Sequence, residues 1–191
     1  MKHYSNGIAK AIKRHLRKTE VTAITFNRKE GTFDFILPCR SLISYFHYSI
    51  QVQRKGYIVT LRCPVSPAPG NAAALAGVAE YLSRVNEALN YGANGNHLEG
   101  YFDVNCNSGM IEYLYSIQCS AFPSADLMRY SIAWPSIDFD RVIPGIIGIL
   151  YKDISPEAAM AEYTQRVDQA LEIRLPPITK GDAEDEPFSE S

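Results

Sequence analysis

Cys39 and His47 are side chains of the kind that pair as a thiol nucleophile and its imidazole base. Each falls in a strand-like stretch, and no third residue is suggested to orient the histidine. A buried thiol and a strand histidine are therefore the preferred reading. The remaining histidines (His3, His15, His97) and cysteines (Cys63, Cys106, Cys119) are dispersed, with no C-x-x-C and no spacing of a zinc ligand set. The run Asp103-Val104-Asn105-Cys106-Asn107-Ser108-Gly109 imitates the oxygen ladder of an EF-hand loop. Its glycine falls one place late and Glu112 two places early, so the cage would not close. The same residues are what a hairpin turn needs. Asp138 and Asp140 are spaced as a carboxylate pair for acid–base work. Coming just after Pro135-Ser136, they read instead as first-turn acids stabilised by a helix dipole. Phosphate-cradling glycine loops, nucleophile elbows and zinc-protease helices are missing from the sequence. The expectation is no catalytic residue, no metal and no cofactor, and a binding protein before an enzyme.

The elements that must position any site come from patterning. At 191 residues, 46% hydrophobic and 21% charged, the chain can bury a sizeable core. The formal net charge of -2 argues against a protein that coats nucleic acid. That near-neutrality hides polarised ends: residues 1–20 hold six Lys/Arg against one Glu, and residues 181–191 hold five Asp/Glu and no base. The opening residues Met1 to Gly7 carry no apolar run after their charges, so no secretory signal is expected. The longest apolar stretch, Ile143 to Tyr151, is interrupted by Pro144 and Gly145 and falls short of the roughly 20 residues that span a bilayer. A cytoplasmic protein with reduced thiols and no membrane association is the expectation.

Tyr4, Ile8, Ile12 and Leu16 fall at helical spacing, with Ser5 or Asn6 as cap, and predict a first helix over 4–18. Its bases, Lys10, Lys13, Arg14, Arg17 and Lys18, read as a solvated face. Nucleic-acid binding through Lys13, Arg14 and Arg17 is the weaker alternative. From Val21 the period becomes two. Thr22, Ile24 and Phe26 share a face, then Phe33, Phe35 and Leu37, then Phe46, Tyr48, Ile50 and Val52, then Tyr57, Val59, Leu61 and Cys63. Tight turns between them predict an antiparallel meander. Asn71 caps a second helix with a stripe of Leu75, Val78, Leu82, Val85 and Leu89. Two strands follow, Tyr101 to Val104 and Met110 to Phe122. Ser124 caps a third helix that Pro135 should interrupt. A further helix carries Phe139 to Leu150, kinked at Pro144, and a last one starts at Ser155-Pro156-Glu157. The fold class predicted is α+β, an antiparallel sheet of about six strands packed with helices. We expect one domain over 1–175 and a disordered acidic tail over 176–191.

The tyrosines are the remaining signal: 12 of them in a chain with 8 Phe and 1 Trp. Tyr113 and Tyr115 share a strand face with Ile111 and Ile117, while Tyr45 and His47 lie opposite the Phe46-Tyr48 face of their strand. Both sheet faces thus look partly apolar. Either helices cover both, or one aromatic face takes a protein partner. On the second reading Tyr45, Tyr113 and Tyr115 are the partner contacts.

From the second helix onward the chain resembles the YbjN-like family of bacterial sensory transduction regulators, whose fold is similar to that of type III secretion chaperones. The likeness rests on Leu82, Val85, Asn86, Leu89 and Asn90, on Glu99-Gly100-Tyr101-Phe102-Asp103-Val104, on Ile111-Glu112-Tyr113, and on Val142-Ile143-Pro144-Gly145-Ile146-Ile147 leading to Ile154-Ser155-Pro156-Glu157. The longer loop from Tyr91 to Leu98, Pro135 and the acidic tail depart from the family pattern. The resemblance implies a chaperone-like or regulatory protein that binds a protein segment without catalysis and has room to form a homodimer. The rival from the residues themselves is a small-ligand site or enzyme pocket near Cys39 and His47.

Overall fold

Ser5 caps the first helix with its side chain, accepting from the Ile8 N–H at 3.3 Å, and α1 runs over Asn6–Leu16. The predicted stripe is the buried one: Ile8, Ile12 and Leu16 are closed off from solvent. The structure, a computed structural model, describes residues 4–19, 21–38, 42–65, 71–91, 100–105, 107–119 and 122–172. The acidic tail, Cys39 and Cys106 lie outside the described residues.

Four strands follow α1: β1 (Thr22–Asn27), β2 (Thr32–Pro38), β3 (Tyr45–Gln53) and β4 (Gly56–Arg62). After them come α2 (Ala72–Tyr91), β5 (Gly100–Val104), β6 (Ile111–Gln118), α3 (Ala125–Lys152) and α4 (Pro156–Glu172). All pairings are antiparallel and the sheet order is β1-β2-β3-β4-β6-β5. The predicted class, α+β with a six-stranded antiparallel sheet, is the one found.

The turn from β1 to β2 shows how local chemistry sets the meander. Asn27 Oδ1 accepts from the backbone N–H of Lys29 and of Glu30, and Gly31 then adopts a φ of 75°. Only glycine enters that region cheaply, and a Cβ there would also strike the Tyr4 ring. β1 itself departs from the period-two reading. Ala23 has a φ of 53° and the register to β2 shifts between Thr22 and Thr25. That irregularity breaks the alternation, so Ile24 is left exposed while Phe26 stacks on Phe33 at 4.2 Å.

One sheet face carries Phe33, Phe35, Phe46, Tyr48, Ile50, Tyr57, Val59, Leu61, Phe102 and Tyr113, all buried. The other carries Asp34, Tyr45, His47, Ser49, Thr60, Arg62, Glu112 and Tyr101, none of them fully buried. On that second face Arg62 and Glu112 pair at 2.7 Å across the β4–β6 junction. The helical layer lies on the first face. There the chain departs most from expectation: α3 is one continuous helix of 28 residues with both Pro135 and Pro144 inside it. Proline removes one helical N–H and crowds the carbonyl a turn back. Burial of both flanks of Pro135 holds the helix together, with Ile132 and Phe139 in the core. The neighbourhood is also supplied with outside donors. The Tyr48 hydroxyl donates to the Ile132 carbonyl at 2.8 Å, and Tyr81 donates to the Val142 carbonyl at 3.3 Å.

Two more tyrosines end on the same helix. The Ser131 hydroxyl donates to the Met128 carbonyl, so the Tyr57 hydroxyl, 2.9 Å away, donates to Ser131. Tyr113 donates to Asp138 Oδ2 at 3.2 Å. The tyrosine excess is thus largely a structural device. Each ring fills core volume and each hydroxyl is spent on α3, which keeps buried polar groups satisfied. Burial pushes the Tyr57 hydroxyl up to about 12 and raises those of Tyr81 and Tyr113 further, so all three stay protonated donors.

α2 uses the predicted Asn71 cap, with Asn71 Oδ1 accepting from the Ala74 N–H at 3.0 Å. From its far half Asn86 reaches the edge strand β5. Its amide donates to the Phe102 carbonyl at 2.8 Å and accepts from the Phe102 N–H at 2.7 Å. A side-chain amide thus completes the ladder along an edge that would otherwise be open. Replacing Asn86 by Ala should cost about 1–3 kcal/mol, because two backbone groups lose their partner, and amide exchange at Phe102 should speed up correspondingly. Unchanged exchange there would refute this role.

Candidate functional site

The three sequence-predicted contacts do not form one surface. Tyr113 is completely buried, with its ring 4.6 Å from that of Phe102 and its hydroxyl on Asp138. Tyr115 lies half-buried on the same covered face. Tyr45 is 40% exposed on the opposite face, edge-on to His47 with ring centres 5.2 Å apart. As the fold stands, Tyr113 reaches no partner unless α3 lifts. Helices cover one face of the sheet, and the face with Tyr45 and His47 is polar and apolar by turns.

The other residues singled out for chemistry are also placed. Cys63 is buried, and burial pushes its thiol up to about 11, so it is a protonated core residue and no nucleophile at neutral pH. Burial likewise raises the Cys119 thiol. The Asn105 to Gly109 segment is a turn: Asn105 Oδ1 accepts from the N–H of Asn107 and of Ser108, and Gly109 has a φ of 69°. Among the described residues no three His, Cys, Asp or Glu converge as metal ligands.

Asp138 is a correction. It is not in a first helical turn but in the middle of α3, 2% exposed, between the sheet and α4. Tyr113 donates to one oxygen and Arg141 approaches the other at 3.4 Å. The buried Trp134 indole N–H makes no hydrogen bond of good geometry, yet lies near enough to favour the carboxylate. Burial outweighs all three neighbours and pushes the Asp138 carboxyl up to about 6. Asp140, two residues on, is exposed. The two acids do not face one another.

What the elements do bring together is a cleft of about 440 Å³ between α1 and the start of α3. Lys10 and Arg14 on α1 and Lys18 in the turn just after it, spaced four residues apart, form one wall with His15. Phe122, Pro123 and Met128 form the floor. The floor exists because Ser124 caps α3, accepting from the Leu127 N–H at 3.1 Å, and turns the preceding Phe122-Pro123 under α1. Phe122 packs near Gly7 and is still 71% exposed. Among the described residues, no acidic side chain lines this cleft. Burial, then repulsion from Arg129 and Lys18, holds the His15 imidazole below its ordinary value. The adjoining surface of α3 continues the apolar character: Tyr130 stacks on Trp134 at 5.0 Å, with Ile137 beside them.

Sequence reasoning saw the basic helix but not the cleft. The signal was present in part: Lys10, Arg14 and Lys18 recur at four-residue spacing, whereas Lys13 lies toward Tyr4, Phe26 and Phe33. The floor comes from 112 residues further along the chain, and no local pattern announces that meeting.

These features define an α+β protein: a single antiparallel sheet with a helical layer on one face and a basic, apolar-floored cleft at the α1–α3 corner. Comparison with family models, with curated proteins and with solved structures gave no match for this chain. Among the described residues no helix is long and apolar enough to cross a membrane.

Proposed function

We infer that this chain is a non-enzymatic protein-interaction module that holds an acidic protein segment carrying an apolar side chain. The observation that carries the reading is the α1–α3 cleft, where Lys10, Arg14 and Lys18 converge over Phe122, Pro123 and Met128 with no acid among the described lining residues. Bases placed beside an apolar floor suit a ligand that is both anionic and hydrophobic, and such complementarity gives specificity and association rate. The YbjN-like resemblance points the same way, toward a regulatory or chaperone-like partner-binding role. A homodimer is compatible with it.

The test is fluorescence anisotropy with a labelled Asp/Glu-rich peptide containing one Phe. It is run on the full chain and on the full chain with its five tail acids neutralised (Asp182→Asn, Glu184→Gln, Asp185→Asn, Glu186→Gln, Glu190→Gln). Binding should weaken steeply with salt. It should fall by about tenfold or more in the triple variant Lys10→Glu, Arg14→Glu, Lys18→Glu, since close charge pairs at interfaces couple by about 1.5 kcal/mol or more. All three side chains are exposed, so their reversal leaves the core intact. Binding that ignores the triple variant, or no binding by either form of the chain, overturns the reading. So does tighter, cleft-dependent binding of a DNA duplex.

A further inference from the structure

We propose that the chain's own C-terminal segment, residues 173–191, occupies the basic cleft and the adjoining apolar surface of α3, so that an outside partner must displace it. The proposal rests on the reading of the cleft as an acidic-segment site, and it adds the occupant and the regulation.

Three observations carry it. The first is charge. Among the described residues the bases of the cleft have no acidic neighbour in its lining, and the segment supplies Asp182, Glu184, Asp185, Glu186 and Glu190 without a base among residues 181–191. The same stretch holds Phe188, an apolar side chain for the floor. The second is position. α3 and α4 are joined by only Asp153, Ile154 and Ser155, so they run antiparallel. Tyr163 of α4 lies near enough to Asp138 and Arg141 of α3 to feel their charges, which sets the middle of α4 against the middle of α3. From Tyr163 to the end of α4 at Glu172 the chain advances about 13 Å, and the same distance back along α3 from Asp138 arrives near Arg129. α4 therefore ends near the Tyr130–Trp134 pair, close to the cleft.

The third is order. Ile173, Leu175 and Ile178 come first in the segment and the acids come after. From the end of α4, level with Arg129, the surface offers the Tyr130–Trp134 pair first, with Tyr130 46% exposed, and the bases of the cleft after. Apolar meets apolar and acid meets base in the same sequence. Reach is ample: the ten residues from 173 to 182 extend to about 33 Å, against roughly 6 Å along α3 from Arg129 to Ala125.

Trp134 is the sole tryptophan, so its fluorescence reports on this surface directly. The experiment compares the full chain with the five-acid neutralised full chain. It follows acrylamide quenching of Trp134, amide exchange in α1 and affinity for the acidic probe peptide. If the segment fills the cleft about nine-tenths of the time, neutralisation raises probe affinity about tenfold. Trp134 should become easier to quench and α1 should exchange faster, and high salt should reproduce the last two effects in the unaltered chain. Equal probe affinity with unchanged quenching and exchange overturns the proposal and leaves the cleft's partner-binding role standing. No probe binding by either form, with Trp134 still opening on neutralisation, supports the docked segment and overturns the outside partner. No binding and no change overturns both. Quenching that varies with protein concentration seats the segment on a second copy and overturns the intramolecular form.

Discussion

Phe139→Ala is expected to destabilise the protein by about 3–5 kcal/mol, read as a lowered urea midpoint with an unchanged slope. Phe139 is fully buried at the centre of α3. Its ring lies 5.4 Å from Phe46 of the interior strand β3 and 5.2 Å, edge-on, from Phe102 of the edge strand β5. One side chain thus ties α3 to strands that are three places apart both in the chain's order of elements and in the sheet. Truncation removes its transfer energy and leaves a cavity whose walls are held by separate elements, so collapse around it is poor. The loss is a large fraction of the roughly 5–15 kcal/mol that holds a typical domain together. Phe139→Leu should recover much of it. A loss below about 1 kcal/mol for the alanine variant would mean that the three-ring contact does not hold the layers together.

The second large effect is a pH dependence centred on Asp138. Its carboxyl is pushed up to about 6 by burial, from the 3.8 of a free side chain. A folded-state value above the unfolded one means the folded protein binds the extra proton. Its contribution is therefore fully present below about pH 4 and is lost as the pH rises through about 6. The difference amounts to about 3 kcal/mol, at 1.36 kcal/mol per pH unit. Other carboxylates work in the opposite direction, so the clean measurement is a comparison. The stability of Asp138→Asn minus that of the unaltered chain should grow by up to about 3 kcal/mol between pH 4 and pH 7. Asparagine can still accept from the Tyr113 hydroxyl and carries no charge to bury. A difference that stays level across this range would place the Asp138 carboxyl at its ordinary value.

The legible parts of the fold were those governed by local rules. The Ser5, Asn71 and Ser124 caps are where short polar side chains precede apolar stripes, and the strands β2, β3 and β4 alternate because one face is buried. What escaped were outcomes set by distant partners. Pro135 reads as a break in any local scheme, yet Tyr48, from a strand 84 residues away, meets the carbonyl of Ile132 and the helix continues. Asp138 reads as a first-turn acid only if the helix restarts after Pro135. Because it does not, the acid lands in the core. Tyr113 and Tyr115 were rightly placed on one strand face, but which face the helices cover is a choice that alternation alone leaves open. The cleft needed α1 and the start of α3 to meet, and only the basic spacing on α1 was visible beforehand.

The strand order also says how the molecule assembles in time. β1 to β4 are sequence neighbours that pair one after another, and β5 and β6 form a second antiparallel pair. The seam between β4 and β6, marked by the Arg62–Glu112 pair, joins residues 50 positions apart. Closing that loop costs roughly 3 kcal/mol more in chain entropy than closing a two-residue turn. The two hairpin groups are thus quick local events, and the slow step of refolding is their union along the seam, under an α3 long enough to bridge them.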